Sequence, residues 1–142
     1  MRMSEYIEKR NGAPLGASQS LRNMMNRSLG AGQFSTFWIY WNPIWGYYLG
    51  KYIFKPLKVI FSPALSLNLT FIFCGFLHDV VIMLIRWEIT LLFTPWFFIM
   101  GIFVVIGDFI KLDYSSRPWM VRAIINVAII AGCYMLSRQL GI

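Results

Sequence analysis

The chain has 142 residues, of which 58% are hydrophobic and 18% aromatic, whereas only 13% are charged. An ordinary soluble domain is about 45–50% apolar and about 25% charged, so this composition indicates a membrane protein and excludes an ordinary soluble enzyme. The formal net charge is +7, but we expect no nucleic-acid partner, because no basic segment is free of the apolar segments around it.

The N-terminal third begins with two segments of different character. Residues 1–17 contain glycine and proline without hydrophobic periodicity, so we predict a flexible tail followed by a single membrane domain over 18–142. Within 18–30 apolar residues recur at helical spacing opposite a polar face, which predicts an amphipathic helix lying in the membrane interface. The apolar residues of that helix are Leu21, Met24, Met25 and Leu29.

The segment 34–57 is crowded with aromatic residues on both sides of an Asn-Pro pair and carries lysines towards its end, which makes it too polar for an ordinary span. Pro43 suits the first turn of a helix and Pro56 suits its end, so we predict one helix between them. We expect the segment to enter the membrane as a re-entrant piece, sheltered by protein or by a water-filled cavity. Gly46 and Gly50 would let another helix approach closely.

Three later segments approach the ~20 apolar residues that a helix needs to cross the hydrocarbon layer. They predict membrane spans over 65–86, 89–108 and 119–138, and we expect Pro95 to kink the second span. The predicted fold is therefore an all-α integral membrane protein. Three transmembrane helices follow an interfacial amphipathic helix and an aromatic re-entrant helix.

Positive charge is concentrated on one side of this predicted topology. Eight Lys and Arg residues precede the first span and two lie between the second and third spans, whereas the opposite side has two. By the positive-inside rule, we expect a cytoplasmic N-terminus and a C-terminus on the opposite side of the membrane. We expect the membrane to be a bacterial inner membrane.

The only histidine of the chain, His78, lies inside the first predicted span. An ionisable residue in a span is costly and usually faces protein or water at a functional position. Steps of four residues back from His78 give Cys74, Thr70 and Ser66, a polar stripe on one helix face that either packs against another helix or serves function. Asp79 points about 100° away from His78 and needs a donor that the sequence does not identify.

A second polar group is predicted at the depth of His78. If the aromatic helix and the first span form a hairpin, Asn42 and His78 both lie about 20 Å into the membrane. A neutral imidazole can take a proton from a hydroxyl that attacks an acyl carbonyl, and a carboxamide can position the acyl group or donate to the oxyanion. Trp38, Trp41 and Trp45 would anchor the chain at the interface or line an acyl pocket.

Two motifs strengthen this interpretation. The segment FWIYWNPIWGYYLGKYIFKPL, followed by LTFIFCGFLHD, resembles the membrane-bound O-acyltransferase (MBOAT) superfamily. Members have an aromatic Trp-Asn or Trp-His segment that ends in an aromatic-x-x-Pro-Leu turn, and later a Phe-rich span that carries the active-site histidine. The matching residues, within 34–86, are Trp38, Trp41, Asn42, Tyr52, Lys55, Pro56 and Leu57, then Thr70, Phe71, Gly75 and His78.

The resemblance implies transfer of an acyl group from a thioester donor to a hydroxyl of a lipid, a glycan or another envelope acceptor. His78 would be the general base and Asn42 would assist it. Acyl-CoA or another thioester would be the co-substrate, with no tightly bound cofactor. One histidine without a carboxylate cluster also argues against a metal site. The expected substrate-binding residues are Trp38, Trp41, Trp45, Thr70, Cys74 and Asp79.

Two other classes of function stay open. A single short copy cannot easily enclose a lipid-shielded chamber, so we expect a homo-oligomer or a partner membrane chain. The protein could then be a catalytically silent membrane subunit that uses the polar stripe for assembly. A small channel or transporter with His78 as a gate has less support, because no ring of acids and no paired broken helices are evident.

Overall fold

The computed structural model describes residues 1–141, and within that range the chain is helical without any β-strand. The helices are α1 (Met3–Asn11), α2 (Ser20–Leu29), α3 (Phe34–Tyr40), α4 (Pro43–Leu49), a π-helical segment (Gly50–Phe54), α5 (Lys55–Ile60), α6 (Pro63–Arg86), α7 (Phe93–Phe109) and α8 (Trp119–Gln139). The all-helical prediction is confirmed.

The N-terminus differs from the flexible tail predicted for 1–17, because α1 packs against α4. Ile7 is completely buried, and the Tyr6 ring lies 5.5 Å from the Tyr47 ring. Gly12 ends the helix with a φ of 69°, in the left-handed region that glycine adopts without strain. The glycine that suggested a flexible tail is therefore a helix C-cap.

The aromatic segment predicted at 34–57 consists of two helical pieces separated at Asn42. Asn42 has a φ of 43°, which turns the chain between α3 and α4, and Pro43 opens α4 as predicted. Helix does not end at Pro56, however, and continues to Ile60. A proline ring clashes with the carbonyl four residues earlier in a regular α-helix, and the wider π-helical turn before Pro56 accommodates that ring.

The hairpin of α6 and α7 is the most extensive helix pair of the fold. Ser62 caps α6 by accepting a hydrogen bond from the Leu65 N–H at 3.3 Å, and Pro63 occupies the first turn. Close approach depends on Gly75, where a Cβ atom would lie 2.6 Å from the Phe93 carbonyl oxygen. Gly101 of α7 is less constrained, since a Cβ there would lie 2.6 Å from the Nδ2 end of the Asn68 side chain and 3.1 Å from Phe71 Cβ.

Two helices, α6 and α8, are long and apolar enough to cross a membrane, and this supports a membrane location for the protein. The second predicted span, 89–108, is apolar but shorter, because α7 begins at Phe93 instead of residue 89 and has 17 residues. Pro95 therefore lies in the first helical turn, where its missing N–H is not needed, and not in a mid-span position that would produce the predicted kink.

The core between these helices is largely aromatic. The Trp38 ring of α3 packs edge-on against Phe71 at 5.3 Å and lies 6.0 Å from Phe97. Helix α8 joins the core through Cys133 and through its Ile130 carbonyl, which accepts a hydrogen bond from Trp96 Nε1 at 3.0 Å. This packing fixes the α3 end of the aromatic segment against Phe71 of α6 and Phe97 of α7.

A buried polar junction ties the N-terminal half to the α7–α8 loop. Asn126 of α8 is fully buried and donates from Nδ2 to the carbonyls of Leu29 and Ala31 at 2.8 and 3.0 Å, while the Tyr114 hydroxyl donates to its Oδ1. The Tyr114 N–H also donates to the Gly32 carbonyl at 2.8 Å. The linker between α2 and α3 therefore lies at the same end of the molecule as the α7–α8 loop.

Candidate functional site

His78 lies in the middle of α6 and is exposed in the single chain. Its Nδ1 lies 2.7 Å from the carbonyl oxygen of Cys74, one helical turn earlier. Because a carbonyl oxygen can only accept, Nδ1 carries the hydrogen in this contact, and a neutral ring then keeps its lone pair on Nε2. The ring also lies 5.1 and 5.2 Å from the rings of Phe93 and Phe97, which fix its plane.

Cys74 connects His78 to the start of α4. The indole Nε1 of Trp45 donates to Cys74 Sγ at 3.2 Å, and Sγ lies 4.0 Å from His78 Nδ1. The structure therefore brings together three of the predicted site residues in one row. The aromatic helix therefore contacts the polar stripe of α6 at Trp45 and Cys74.

Asn42 is exposed, and its carboxamide is engaged in local structure. Its Oδ1 accepts a hydrogen bond from the Trp45 N–H at 3.4 Å as the N-cap of α4, and its own N–H donates to Met24 Sδ at 3.3 Å. The hydrogen bonds of Asn42 and those of His78 do not join the two side chains. Asn42 Nδ2 is the part of the carboxamide that the cap leaves for a ligand.

Asp79 has a structural partner that the sequence did not reveal. Its Oδ1 accepts hydrogen bonds from the N–H groups of Leu92 and Phe93 at 2.9 and 2.8 Å, and its Oδ2 accepts from the N–H and the hydroxyl of Thr94 at 2.7 and 2.6 Å. The side chain is completely buried. Both oxygens of Asp79 therefore cap the start of α7, and its expected role in substrate binding stays a prediction.

Three other predicted binding residues, Thr70, Trp38 and Trp41, lie in the core or pack against it. Thr70 is buried and donates from its hydroxyl to the Ser66 carbonyl at 2.7 Å. Trp41 packs on Phe37, with ring centroids 5.6 Å apart, and so belongs to the same aromatic core as Trp38. The buried Trp38 Nε1 has no hydrogen-bond partner within the described part of the chain.

One feature near His78 is visible only in the structure. A cleft of about 220 Å³ opens at the end of α6, and its wall includes Ile82, Arg86 and Thr90. Ile82 and Arg86 lie one and two helical turns beyond His78, on the same helix face. Steps of four residues forward from His78 would have found them, as steps backward found Cys74.

The arrangement provides no obvious metal centre. Across residues 1–141, no group of three His, Cys, Asp or Glu side chains is arranged to hold an ion. The two cysteines, Cys74 and Cys133, are free and buried. The chemistry that the site offers is that of one imidazole, bound through Nδ1 to a backbone carbonyl and packed against the rings of Phe93 and Phe97.

Comparison with known proteins adds no constraint to this geometry, since no family model, no curated protein and no solved structure matches the chain.

Proposed function

We propose that the protein is a membrane-embedded O-acyltransferase similar to the MBOAT superfamily. It would transfer an acyl group from a thioester donor to a hydroxyl of a lipid, a glycan or another envelope acceptor. The observation that carries the proposal is the orientation of His78, whose Nδ1 is bound to the Cys74 carbonyl at 2.7 Å. That contact favours the tautomer in which Nε2 is a free base.

In the proposed reaction, His78 Nε2 accepts the proton of the acceptor hydroxyl as its oxygen attacks the thioester carbonyl. The carbon–sulfur bond then breaks, and the proton passes to the leaving thiolate. Asn42 Nδ2 would donate to the carbonyl oxygen as it becomes negative. The exposed Trp45 ring at the Cys74 contact offers an apolar surface for the acyl chain.

The cleft beyond His78 supports a position for the acceptor. Arg86 and Thr90 are its polar lining, and Ile82, Ile85 and Leu92 are apolar. A polar or anionic head could bind at Arg86 while its hydroxyl reaches towards His78, since the two residues lie eight positions apart, or about 12 Å along the helix.

We also propose the finer membrane arrangement. Helix α7 crosses the bilayer between α6 and α8, the aromatic segment is re-entrant, and the N-terminus is cytoplasmic. Because His78 and Asn42 are exposed in the single chain, a second copy or another membrane chain would have to cover the site from lipid. A homo-oligomer is the simplest arrangement that does this.

The test uses the full chain in liposomes with radiolabelled acyl-CoA donors of several chain lengths and a bacterial membrane-lipid extract. The His78→Gln variant should lose about 10²–10⁴-fold in transfer rate, as expected for removal of a general base. Phe76→Leu, an exposed change on the same helix, is the matched control and should keep the wild-type rate. Equal transfer by the wild type and His78→Gln would contradict the proposal.

A catalytically silent subunit is the second candidate. The observation that favours it is that the Asn42 oxygen already caps α4, while both Asn42 and His78 are open to a neighbouring chain. In this case neither the wild type nor His78→Gln transfers label, and His78→Gln instead weakens association with the partner in a pull-down from detergent extract.

A further inference from the structure

A second cleft, distinct from the His78 region, lies between α2 and the start of α8. Its volume is about 460 Å³, and its walls come from one face of α2 and from the Trp119 ring. The proposed acyl transfer uses none of these residues. The cleft therefore needs its own explanation.

The Trp119 wall of the cleft is held in place. Its Nε1 donates to the Asn26 carbonyl at 3.1 Å, which ties the first residue of α8 to α2. Gly30 leaves room for the ring, because a Cβ atom there would lie 2.3 Å from Trp119 Nε1. The cleft is thus a formed feature of the packing between the two helices.

The polar side of the cleft carries positive charge and amide groups. Gln19, Arg22 and Asn26 occupy positions i, i+3 and i+7, so their side chains share one face of α2. The lining includes the Arg22 guanidinium but no carboxylate. Guanidinium and amide N–H groups together match the oxygens of a phosphate group.

The other side of the cleft is apolar. Met25 and Leu29 line it beside Trp119, and Leu21 and Met120 nearby are 66% and 62% exposed. Trp119 also begins a helix that is long and apolar enough to cross a membrane. Tryptophan at the end of such a helix marks the headgroup level of the bilayer. The guanidinium, the amide groups and the apolar rim of the cleft therefore lie together at the membrane depth where a lipid carries its phosphate.

We propose that this cleft binds the headgroup of an anionic phospholipid. Arg22 holds the phosphate, the amides of Gln19 and Asn26 donate to its oxygens, and the acyl chains lie along Met25 and Leu29. The charge of the cleft and its place at the end of α8 select a membrane lipid over an apolar ligand.

The test is lipid binding by the purified full-length protein in detergent, followed by native mass spectrometry. Phosphatidylglycerol should bind more tightly than phosphatidylcholine, which has no net charge. Arg22→Gln should weaken the first phosphatidylglycerol by about tenfold or more, because a hydrogen-bonded charge pair is lost. Arg117→Gln removes an exposed cation of the α7–α8 loop that does not line the cleft, and it should leave binding unchanged.

Met25→Glu is the second variant, since it places a carboxylate inside the cleft and should also abolish the preference for phosphatidylglycerol. Equal weakening by Arg22→Gln and Arg117→Gln would overturn the proposal, as it would show general charge attraction. Equal binding of the two lipids by the wild type would overturn it as well. Displacement of the lipid by millimolar inorganic phosphate would assign the cleft to free phosphate instead.

Discussion

At the scale of single residues, Asp79 makes the most concentrated set of polar contacts in the site region. One carboxylate accepts four hydrogen bonds from three consecutive residues, Leu92, Phe93 and Thr94. These are the N–H groups that a helix cannot satisfy internally at its start. The contact therefore determines where α7 begins.

We predict that Asp79→Asn destabilises the protein by about 2–4 kcal/mol, because an amide group replaces one acceptor oxygen with a donor that faces other donors. Unfolding in mixed micelles with an increasing fraction of sodium dodecyl sulfate measures the free energy of unfolding. Hydrogen exchange at residues 92–94 shows whether the loss of stability is located at the start of α7. Asp108→Asn, at an exposed position near the end of α7, is the control and should have little effect. Slow hydrogen exchange at residues 92–94 in Asp79→Asn would refute the conclusion that the Asp79 carboxylate caps α7.

Tyr114 is the residue whose titration reports on the buried junction. Burial, together with a smaller contribution from the neighbouring Asp113 carboxylate, raises the pKa of Tyr114 from 10.0 to about 12. The folded state therefore holds this proton more tightly than the unfolded chain does. The resulting stability is complete below pH 10 and is lost as pH rises from 10 to about 12.

We predict that one of the seven tyrosines titrates near pH 12 when tyrosinate formation is followed by ultraviolet absorbance. Tyr114→Phe should remove that component and lower stability, because Asn126 loses its hydroxyl partner. Tyr52→Phe, an exposed change, should leave the component in place. Persistence of the high-pH component in Tyr114→Phe would contradict the interpretation.

At the scale of helices, the α6–α7 hairpin depends on glycine. We predict that Gly75→Ala costs about 1–3 kcal/mol, because the added methyl group would meet the Phe93 carbonyl at 2.6 Å and Phe97 Cβ at 2.8 Å, which forces the helices apart. Gly132→Ala in α8 meets nothing within 4 Å and should be neutral or slightly stabilising. Unfolding in sodium dodecyl sulfate mixed micelles compares the two variants. Similar free energies of unfolding for Gly75→Ala and Gly132→Ala would argue against this role of Gly75.

The sequence predicted helix positions best where the signals are local. Helix α6 covers the predicted 65–86 and begins two residues earlier, at Pro63, and α8 closely matches the predicted 119–138. The close approach expected at Gly50 does not occur, since a Cβ atom there would have nothing within 4 Å, whereas a Cβ atom at Gly46 would lie 3.9 Å from the Tyr6 hydroxyl of α1. Spacing identifies small residues, but tertiary packing decides which of them another helix approaches.

The contacts of the candidate site, like the helix positions, were predictable where they depend on neighbouring residues of one helix. Helical periodicity correctly placed Cys74 on the face of His78 and turned Asp79 away from it. The partner of Asp79 lies 13–15 residues further along the chain, and local pattern does not determine such a contact. The cap made by Asn42 is local, but its left-handed backbone is not evident from an Asn-Pro pair alone.

At the scale of the whole molecule, the junction around Asn126 places the N-terminal helices and the α7–α8 loop at one end. The same end is where charge patterning places most of the Lys and Arg residues. The hydrogen bond from Tyr114 to the Gly32 carbonyl at 2.8 Å is part of this connection. Any membrane orientation must therefore keep these segments on a common side.

We predict that cysteines introduced at Ser18 and Arg117 react with an impermeant maleimide from one side of the membrane. A cysteine at Glu88, in the turn between α6 and α7, should react only from the other side, because α6 separates the two ends. Intact cells and inverted vesicles provide the two sides. The native cysteines are buried and should contribute little background. Labelling of Ser18→Cys and Glu88→Cys from the same side would contradict a spanning α6.

The contact between Asp79 and α7 also constrains biosynthesis. When α6 emerges from the ribosome, the residues that satisfy its carboxylate have not yet been made, because they follow 13–15 positions later. A lone α6 would carry a bare charge into the hydrocarbon, which is costly. The two helices should therefore leave the translocon together, as a hairpin already closed around that carboxylate.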